Sequence, residues 1–221
     1  MNIAVIGAGY VGLVTGAGLA DFGNDVTCCD NDSTKIEALK KGQIPIYEPG
    51  LDEIVKRNAS EGRLHFTTDT AEAIQHSRAI FIAVGTPPKD DGSADLRYVE
   101  DVAGAIAEHM NGPKLVITKS TVPIGTGRMI EKILDEARNG HKASVVSNPE
   151  FLREGSAIED FRNPDRVVIG ASDEESIALM KTIYAPLHKM EIPFVITNLE
   201  SSELIKYAAN GFLATKISFI N

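Results

Sequence analysis

Residues 2–30 read NIAVIGAGYVGLVTGAGLADFGNDVTCCD, and this stretch decides the fold. Its first part, residues 2–6, is a short and largely apolar run rich in β-branched side chains, which predicts a buried strand. Gly7, Gly9 and Gly12 follow as G-x-G-x-x-G, where the strand pattern gives way to a helical one. A strand, a glycine turn and a helix in this order predict the first unit of a doubly wound α/β sheet.

The three glycines meet separate demands of a dinucleotide-binding turn. Gly7 permits the tight turn, Gly9 lets the backbone approach a pyrophosphate, and Gly12 lets the helix pack closely on the strand. The helix then begins with Tyr10 and Val11, at the end whose N–H groups and positive dipole would face the phosphates. We therefore expect all five residues to bind a dinucleotide, with a glycine turn of purely local origin as the alternative.

An acidic residue follows the next predicted strand, over residues 26–29. This residue, Asp30, stands about 20 residues beyond the glycines, where a carboxylate suits a ribose 2′-hydroxyl and repels a 2′-phosphate. The predicted cofactor is therefore NAD rather than NADP. Lys35, in the first turn of the following helix, would either reach the adenosine side of the cofactor or remain solvated.

The composition excludes several classes of partner. The chain has 221 residues, of which 43% are hydrophobic and 24% charged, as is typical of a soluble globular protein. Its formal net charge is -9 and it contains no run of lysine or arginine, so neither nucleic acid nor an anionic membrane is an expected partner. No signal peptide is apparent before the first strand.

Cysteine and histidine usage indicates a reducing compartment and no metal. Cys28 and Cys29 are adjacent on a predicted strand, where neighbouring side chains point to opposite faces, so a disulfide between them is not expected. The 5 histidines are scattered without metal-ligand spacing. We expect a cytoplasmic protein without a bound metal.

Beyond the opening stretch, strands alternate with helices as far as residue 198. This pattern predicts a doubly wound, mainly parallel Rossmann-type sheet with helices on both faces. One helix is predicted over residues 124–138, and the start of a long helix over residues 199–221. The predicted organisation is an NAD-binding domain over residues 1–198 followed by this helix.

Loops at the carboxyl ends of strands hold further candidates, because ligands of doubly wound sheets bind at this edge. Thr86 follows a predicted strand over residues 79–84, and would donate its hydroxyl to a phosphate or ribose or serve only as a turn residue. Thr121 follows the next predicted strand, over residues 115–118. Residues 43–51 contain two prolines and form either a wall of the site or a structural connector.

Six stretches outside the glycine turn form a pattern that is more specific than the turn itself. They are IPIYEPGL (44–51), VGTP (84–87), STVPIG (120–125), NPEFLREG (148–155), PDRVVIG (164–170) and residues 206–221. With these motifs the chain resembles the UDP-glucose/GDP-mannose dehydrogenase family over its whole length.

The resemblance implies an NAD-dependent, four-electron oxidation of a nucleotide sugar. UDP-glucose is the substrate it favours, giving UDP-glucuronate with two NAD used in succession. Oxidation of GDP-mannose or a UDP-N-acetyl sugar is the first alternative, and a non-catalytic NAD-binding module is the second. In the family the long helix also builds a dimer, so we expect a homodimer through residues 199–221.

The resemblance also implies roles for individual residues. Lys206 and Asn210, four residues apart on one helix face, would stabilise the developing oxyanion. Thr121 and Glu154 would position a water and contact the nicotinamide end, and Glu150 would carry out the acid–base work of thioester hydrolysis. Without the resemblance, Lys206 would be interpreted as a surface lysine and the two glutamates as solubilising loop residues.

The resemblance places the nucleotide sugar in a cradle formed by the same loop and helix. The residues implied are Phe151, Leu152, Arg153, Glu154, Lys206 and Asn210. Family members are longer and carry the catalytic cysteine in a second domain, which we expect to be absent from these residues. Cys28 and Cys29 lie at the adenosine end of the predicted cofactor site, so residues 1–221 are expected to bind NAD without completing catalysis.

Overall fold

The computed structural model describes residues 1–137 and 140–221. The strands are β1 Asn2–Ile6, β2 Asp25–Cys29, β3 Leu64–Thr67, β4 Ala79–Ile82, β5 Lys114–Thr118, β6 Ala143–Ser147, β7 Val167–Gly170 and β8 Phe194–Thr197. The helices are α1 Tyr10–Asp21, α2 Ser33–Lys40, α3 Leu51–Ser60, α4 Thr70–His76, α5 Arg97–His109, α6 Thr126–Glu136, α7 Ala157–Arg162, α8 Glu174–Ile183, α9 Ala185–Lys189 and α10 Leu199–Ile220. Within the described residues, no helix is long and apolar enough to cross a membrane. The same residues contain no group of three or more His, Cys, Asp or Glu side chains that could hold a metal ion.

These strands form one sheet in the order β3-β2-β1-β4-β5-β6-β7-β8. Neighbours run parallel except β6 and β7, which pair antiparallel through Ser147 and Gly170. Strand β4 reads AIFI and is buried along its whole length, as expected where helices cover both faces of a parallel sheet. The predicted doubly wound, mainly parallel sheet is therefore confirmed.

The strand order reverses at β1. The chain passes from β1 to β2 and β3 on one side, and then crosses to β4 on the other side. The N–H of Gly7 donates to the Cys29 carbonyl at 2.8 Å, and the N–H of Ala83 donates to the Ile6 carbonyl at 2.8 Å. The carboxyl ends of β1, β2 and β4 are thus held together at a switch point, where doubly wound sheets bind their ligands.

Each face of the sheet has its own apolar core. One core contains Cys28 and the other contains Cys29, and both cysteines are free, as predicted. On the first face, a Cβ at Gly16 would lie 2.3 Å from Cys28 Sγ, and a Cβ at Gly18 would lie 2.3 Å from the Phe161 ring. Helix α1 therefore packs directly against the sheet and α7, which fixes its N-terminus at the switch point.

Helix α6 differs in its bounds from the helix predicted over residues 124–138. It begins at Thr126, because Gly125 takes a left-handed conformation with φ 94 that ends the preceding loop. The predicted end at Arg138 lies outside the described residues.

Helix α10 docks on the domain through its first turns only. Leu199 is fully buried, and the Glu203 carboxylate accepts hydrogen bonds from the N–H groups of Gly125 and Gly127 at 2.7 Å each. Farther along the helix, Phe212 is 72% exposed. The first part of α10 is therefore anchored beside α6, whereas its later turns present apolar side chains to solvent.

Candidate functional site

The glycine turn has the shape that close backbone approach requires. Gly7 has φ +102, and a Cβ there would lie 2.6 Å from the Ala83 carbonyl oxygen. A Cβ at Gly12 would lie 1.7 Å from the Gly7 carbonyl oxygen, so only glycine lets α1 start this close to β1. A Cβ at Gly9 would meet nothing within 4 Å. The turn therefore presents bare backbone at the switch point.

The N-terminus of α1 lies beside this bare backbone. Gly9 is its N-cap, no side chain of the described residues accepts a hydrogen bond there, and the first turn contains no acidic residue. Tyr10 and Val11, the first helical residues, are half-buried. Uncapped N–H groups and the positive end of the helix dipole suit a pyrophosphate, so the residues of the turn fit a dinucleotide.

Asp30 follows β2 and is tied to the turn. Its Oδ2 accepts hydrogen bonds from the Ala8 N–H at 2.8 Å and from Lys35 Nζ at 2.9 Å, and its Oδ1 accepts one from the Asp32 N–H at 3.0 Å. Burial raises the pKa of Asp30, but these donors lower it more, so the net pKa lies below its ordinary value. Lys35 is thus bound to Asp30, and the carboxylate stays charged beside the turn.

Thr86 and Thr121 meet across the ends of β4 and β5. The Thr86 hydroxyl donates to the Thr121 carbonyl oxygen at 2.8 Å. The hydroxyl proton of Thr86 is thus engaged with the backbone here, and its contact with a phosphate or ribose stays a prediction. The Ser120 hydroxyl donates to the Val84 carbonyl at 2.7 Å, which closes the same edge.

A charged pair joins α10 to the loop over residues 148–155. Lys206 Nζ lies 2.9 Å from Glu150 Oε1, and the two side chains are 8% and 12% exposed. Glu150 Oε2 accepts a hydrogen bond from the Leu152 N–H at 2.7 Å. Lys206 Nζ also lies 5.4 Å from the centroid of the Phe151 ring. Four predicted site residues from two distant segments are therefore in contact.

Three other predicted site residues are exposed. Asn210 stands one turn farther along α10 than Lys206, and Arg153 and Glu154 lie on the outer side of the loop. Arg153 Nη2 lies 2.6 Å from Asp160 Oδ1, so Arg153 already has an anionic partner. These residues are available to a ligand, but they are not yet gathered around one.

Glu48, in the loop between α2 and α3, is a site residue that the sequence did not identify. It is 5% exposed, and its carboxylate accepts hydrogen bonds from the Tyr10 hydroxyl at 2.5 Å and from the N–H groups of Gly155 and Ala157 at 2.8 Å each. The pKa of Tyr10 is raised, mainly by burial and to a smaller extent by the hydrogen bond to Glu48 and the negative charges of Glu48 and Glu154. The phenol therefore keeps its proton. The loop therefore contacts both α1 and the segment that begins α7, and the signal for these contacts was an acid within IPIYEPGL.

Lys119 is a second residue that the sequence did not identify. It is 6% exposed at the floor of a cavity of about 620 Å³, and its Nζ lies 3.1 Å from Asn148 Oδ1 and 3.4 Å from the Tyr184 hydroxyl. Burial lowers the pKa of Lys119 to about 8, an effect that Glu150 opposes and Lys206 reinforces. The only sequence feature that could have indicated this site residue is its position directly after the apolar strand β5.

Comparison with known proteins assigns the family. The model of the UDP-glucose/GDP-mannose dehydrogenase family, NAD binding domain, matches residues 1–188. The chain belongs to this family. Its cofactor is NAD, as the glycine turn and Asp30 predicted.

Individual relatives match the chain over its full length. UDP-glucose 6-dehydrogenase of Rhizobium meliloti (strain 1021) is 56% identical over 100% of this chain and 51% of the relative. UDP-glucose 6-dehydrogenase TuaD of Bacillus subtilis (strain 168) is 54% identical over 100% of this chain and 47% of the relative. The chain thus spans about half the length of the curated relatives it matches.

Two solved structures share the fold closely. A UDP-glucose dehydrogenase from Pyrobaculum islandicum has a TM-score of 0.95 and 47% identity, covering 99% of this chain and 51% of that one. A GDP-mannose dehydrogenase from Pseudomonas aeruginosa has a TM-score of 0.93 and 36% identity, with coverages of 99% and 51%. The family's fold is therefore common to enzymes named for different nucleotide sugars.

Proposed function

We propose that these residues supply the NAD-binding half and part of the active site of an enzyme that oxidises UDP-glucose to UDP-glucuronate in a four-electron reaction. The observation that carries the proposal is the buried pair of Lys206 and Glu150, at 2.9 Å, in an NAD-binding fold. A buried ammonium at the ligand edge of such a fold is suited to stabilise negative charge on an alcohol oxygen. The relatives named as UDP-glucose 6-dehydrogenases support this choice of substrate.

The residues of the site divide the proposed chemistry among them. NAD supplies the hydride acceptor when bound. Lys206 and Asn210, on one face of α10, stabilise the charge that develops on the C6 oxygen of the sugar. Thr121 and Glu154 position a water and contact the nicotinamide end, and Glu150 moves the protons of thioester hydrolysis.

The proposed sugar-nucleotide cradle is the loop carrying Phe151, Leu152 and Arg153. The Phe151 ring has Arg166 Cζ at 4.7 Å and Lys206 Nζ at 5.4 Å from its centroid. Arg166 therefore gives this wall a cation that suits a diphosphate, while the charge of Lys206 is balanced by Glu150.

We propose that the nucleophilic cysteine of the whole protein comes from a second domain. Cys28 and Cys29 are each 0% exposed within the sheet, where neither can reach a sugar. Residues 1–221 alone would therefore bind NAD without completing the reaction.

The whole protein is proposed to be a cytoplasmic homodimer. Residues 1–198 form its NAD-binding domain, and residues 199–221, which follow that domain, form the dimer contact. Apolar side chains on the later turns of α10 support this arrangement, because an exposed patch of this kind marks an interaction surface. The most exposed of them are Phe212 at 72%, Leu213 at 55%, Ile217 at 52%, Phe219 at 90% and Ile220 at 72%.

The test is to assay the full-length gene product for NADH release with UDP-glucose, GDP-mannose and UDP-N-acetylglucosamine. We expect about two NADH per molecule of UDP-glucose, because each NAD accepts one hydride. If NADH forms with GDP-mannose alone, GDP-mannose replaces UDP-glucose as the proposed substrate. The fold shared with a GDP-mannose dehydrogenase favours this alternative. A protein that binds NADH but forms no NADH with any of the three nucleotide sugars would contradict the proposed reaction.

A further inference from the structure

Glu48 is a buried carboxylate in a loop whose neighbouring side chain is open to solvent. Glu48 is 5% exposed, whereas Tyr47 is 90% exposed. Within the described residues, no lysine or arginine forms an ion pair with Glu48. Burying an unpaired carboxylate is costly unless hydrogen bonds satisfy it, so its donors must be firmly placed.

The donors to Glu48 come from the two sides of the site. Oε2 accepts from the Tyr10 hydroxyl at 2.5 Å and from the Gly155 N–H at 2.8 Å, and Oε1 accepts from the Ala157 N–H at 2.8 Å. Tyr10 is the first residue of α1 after the glycine turn, and Gly155 directly follows Glu154. One oxygen atom therefore joins the cofactor turn to the loop over residues 148–155.

A simple connector would not need this arrangement. The loop between α2 and α3 could be anchored through Glu48 by the N–H groups of Gly155 and Ala157 alone, without any contact to Tyr10. The Tyr10 bond adds a link to the segment that contacts the cofactor. The Tyr10 hydroxyl and the Gly155 N–H share Oε2, so one carboxylate oxygen is bonded to both segments.

We propose that Glu48 is a positioning residue that couples the dinucleotide turn to the loop carrying Glu150 and Glu154. The inference rests on the proposed function, in which this loop faces the nucleotide sugar. Binding of NAD at the turn then orders residues 150–158 through Tyr10 and Glu48.

The experiment compares the full-length protein with its Glu48→Gln variant by hydrogen–deuterium exchange, with and without NADH. Glutamine has nearly the same size but only one acceptor oxygen, so it cannot satisfy all three donors. In the unmodified protein, NADH should slow exchange over residues 150–158. In the variant, NADH should still bind, with a Kd within about threefold, but should no longer slow exchange there. Equal slowing in both proteins would overturn the proposal.

Tyr10→Phe provides a second test that does not depend on the stability of the Glu48 variant. It removes the phenol bond and leaves the Gly155 and Ala157 bonds intact, so those amides should stay protected while the NADH-dependent slowing is lost. Retained slowing would overturn the coupling. Glu53→Gln, at an exposed position in the first turn of α3, removes the same charge and should change nothing.

Activity separates this inference from the proposed function. If UDP-glucose is oxidised, Glu48→Gln should lower kcat about 10-fold with little change in the KM for NAD, because the loop is misplaced while the turn is not. An unchanged kcat would contradict the coupling. If no sugar is oxidised by the unmodified protein, the proposed function fails, and the exchange experiment still decides the role of Glu48.

Discussion

The glycine turn over residues 7–12 and the loop over residues 148–155 form two sides of one site, but different physics determines their shapes. The turn is shaped by backbone sterics, since a Cβ at Gly7 or Gly12 would collide with a carbonyl oxygen. The loop is held by charged side chains that reach it from other segments, such as Lys206 at 2.9 Å from Glu150. The steric contact at Gly12 is therefore local to the turn, whereas the contact of Gly7 with Ala83 and the charged contacts of the loop depend on the assembled fold.

Gly12→Ala should have the largest effect, because it tests the sterics of the turn directly. The added Cβ would lie 1.7 Å from the Gly7 carbonyl oxygen, so α1 would have to move away from β1. We expect a loss of more than about 4 kcal/mol in the free energy of unfolding, together with loss of NADH binding. Chemical denaturation and NADH titration check both effects. A folded variant with unchanged affinity would refute the steric account.

Two matched alanine variants serve as controls for the turn. A Cβ at Gly104, in α5, would meet nothing within 4 Å, so Gly104→Ala should stabilise the protein by up to about 1 kcal/mol. A Cβ at Gly9 also has free space, but it would stand where the pyrophosphate approaches. Gly9→Ala should therefore keep the fold and weaken NADH binding.

Lys206→Met tests the electrostatic side of the comparison and should have the next largest effect. Without the ammonium, Glu150 is left buried and unpaired, which should destabilise the protein by about 3 kcal/mol. Activity of the full-length enzyme should fall at least about 100-fold, because the oxyanion loses its cation. Adding Glu150→Gln should recover stability but not activity. Lys189→Met, at the exposed end of α9, is the control and should leave both unchanged.

Asp30→Asn tests a residue beside the turn, bonded to the Ala8 N–H, that acts through its charge. The variant keeps the hydrogen-bond acceptor for the Ala8 N–H but removes the carboxylate that binds Lys35. Affinity for NAD should fall about 10-fold and discrimination against NADP should narrow, since the repulsion of a 2′-phosphate is lost. Titration with NADH and NADPH measures both. Asp25→Asn, at the exposed start of β2, should alter neither affinity.

The fold was predictable where local patterns suffice. The first strand has the predicted bounds, residues 2–6, because β-branched residues between a polar residue and a glycine leave little choice. The antiparallel pairing of β6 and β7 was not foreseen. It consists of one pair of residues, Ser147 and Gly170, so no repeated pattern along either strand could have indicated it.

The site was predictable only in part, for the same reason. The glycines and Asp30 belong to one unit of about 30 residues, so their spacing alone indicates a dinucleotide. Glu48 meets Ala157 across 109 residues of sequence, and Lys119 meets Tyr184 across 65. Such contacts leave no periodic trace, because they depend on which loops the finished sheet brings to one edge.

The titration of the buried Lys119 ammonium should have the smallest effect on the free energy of unfolding. It tests whether the part of the site around the loop over residues 148–155 depends on buried charge. Its pKa is lowered from 10.5 to about 8 in the folded protein, so between these values the unfolded chain binds more protons than the folded one. Stability must therefore rise with pH across this window, and the penalty for the buried charge is fully present below pH 8.

Lys119→Met removes this titration, so the unmodified protein should gain about 1 kcal/mol relative to the variant between pH 7 and pH 9. Urea denaturation of both proteins at the two pH values measures the change, and the subtraction cancels the titration of Cys28, whose pKa burial raises to about 12. A difference that stays flat would mean that Lys119 keeps its ordinary pKa. Water would then reach the cavity floor, and the loop side would be less dependent on buried charge than its contacts indicate. A rise of the expected size would instead mean that the fold holds Lys119 desolvated, 3.1 Å from Asn148, at the start of the loop.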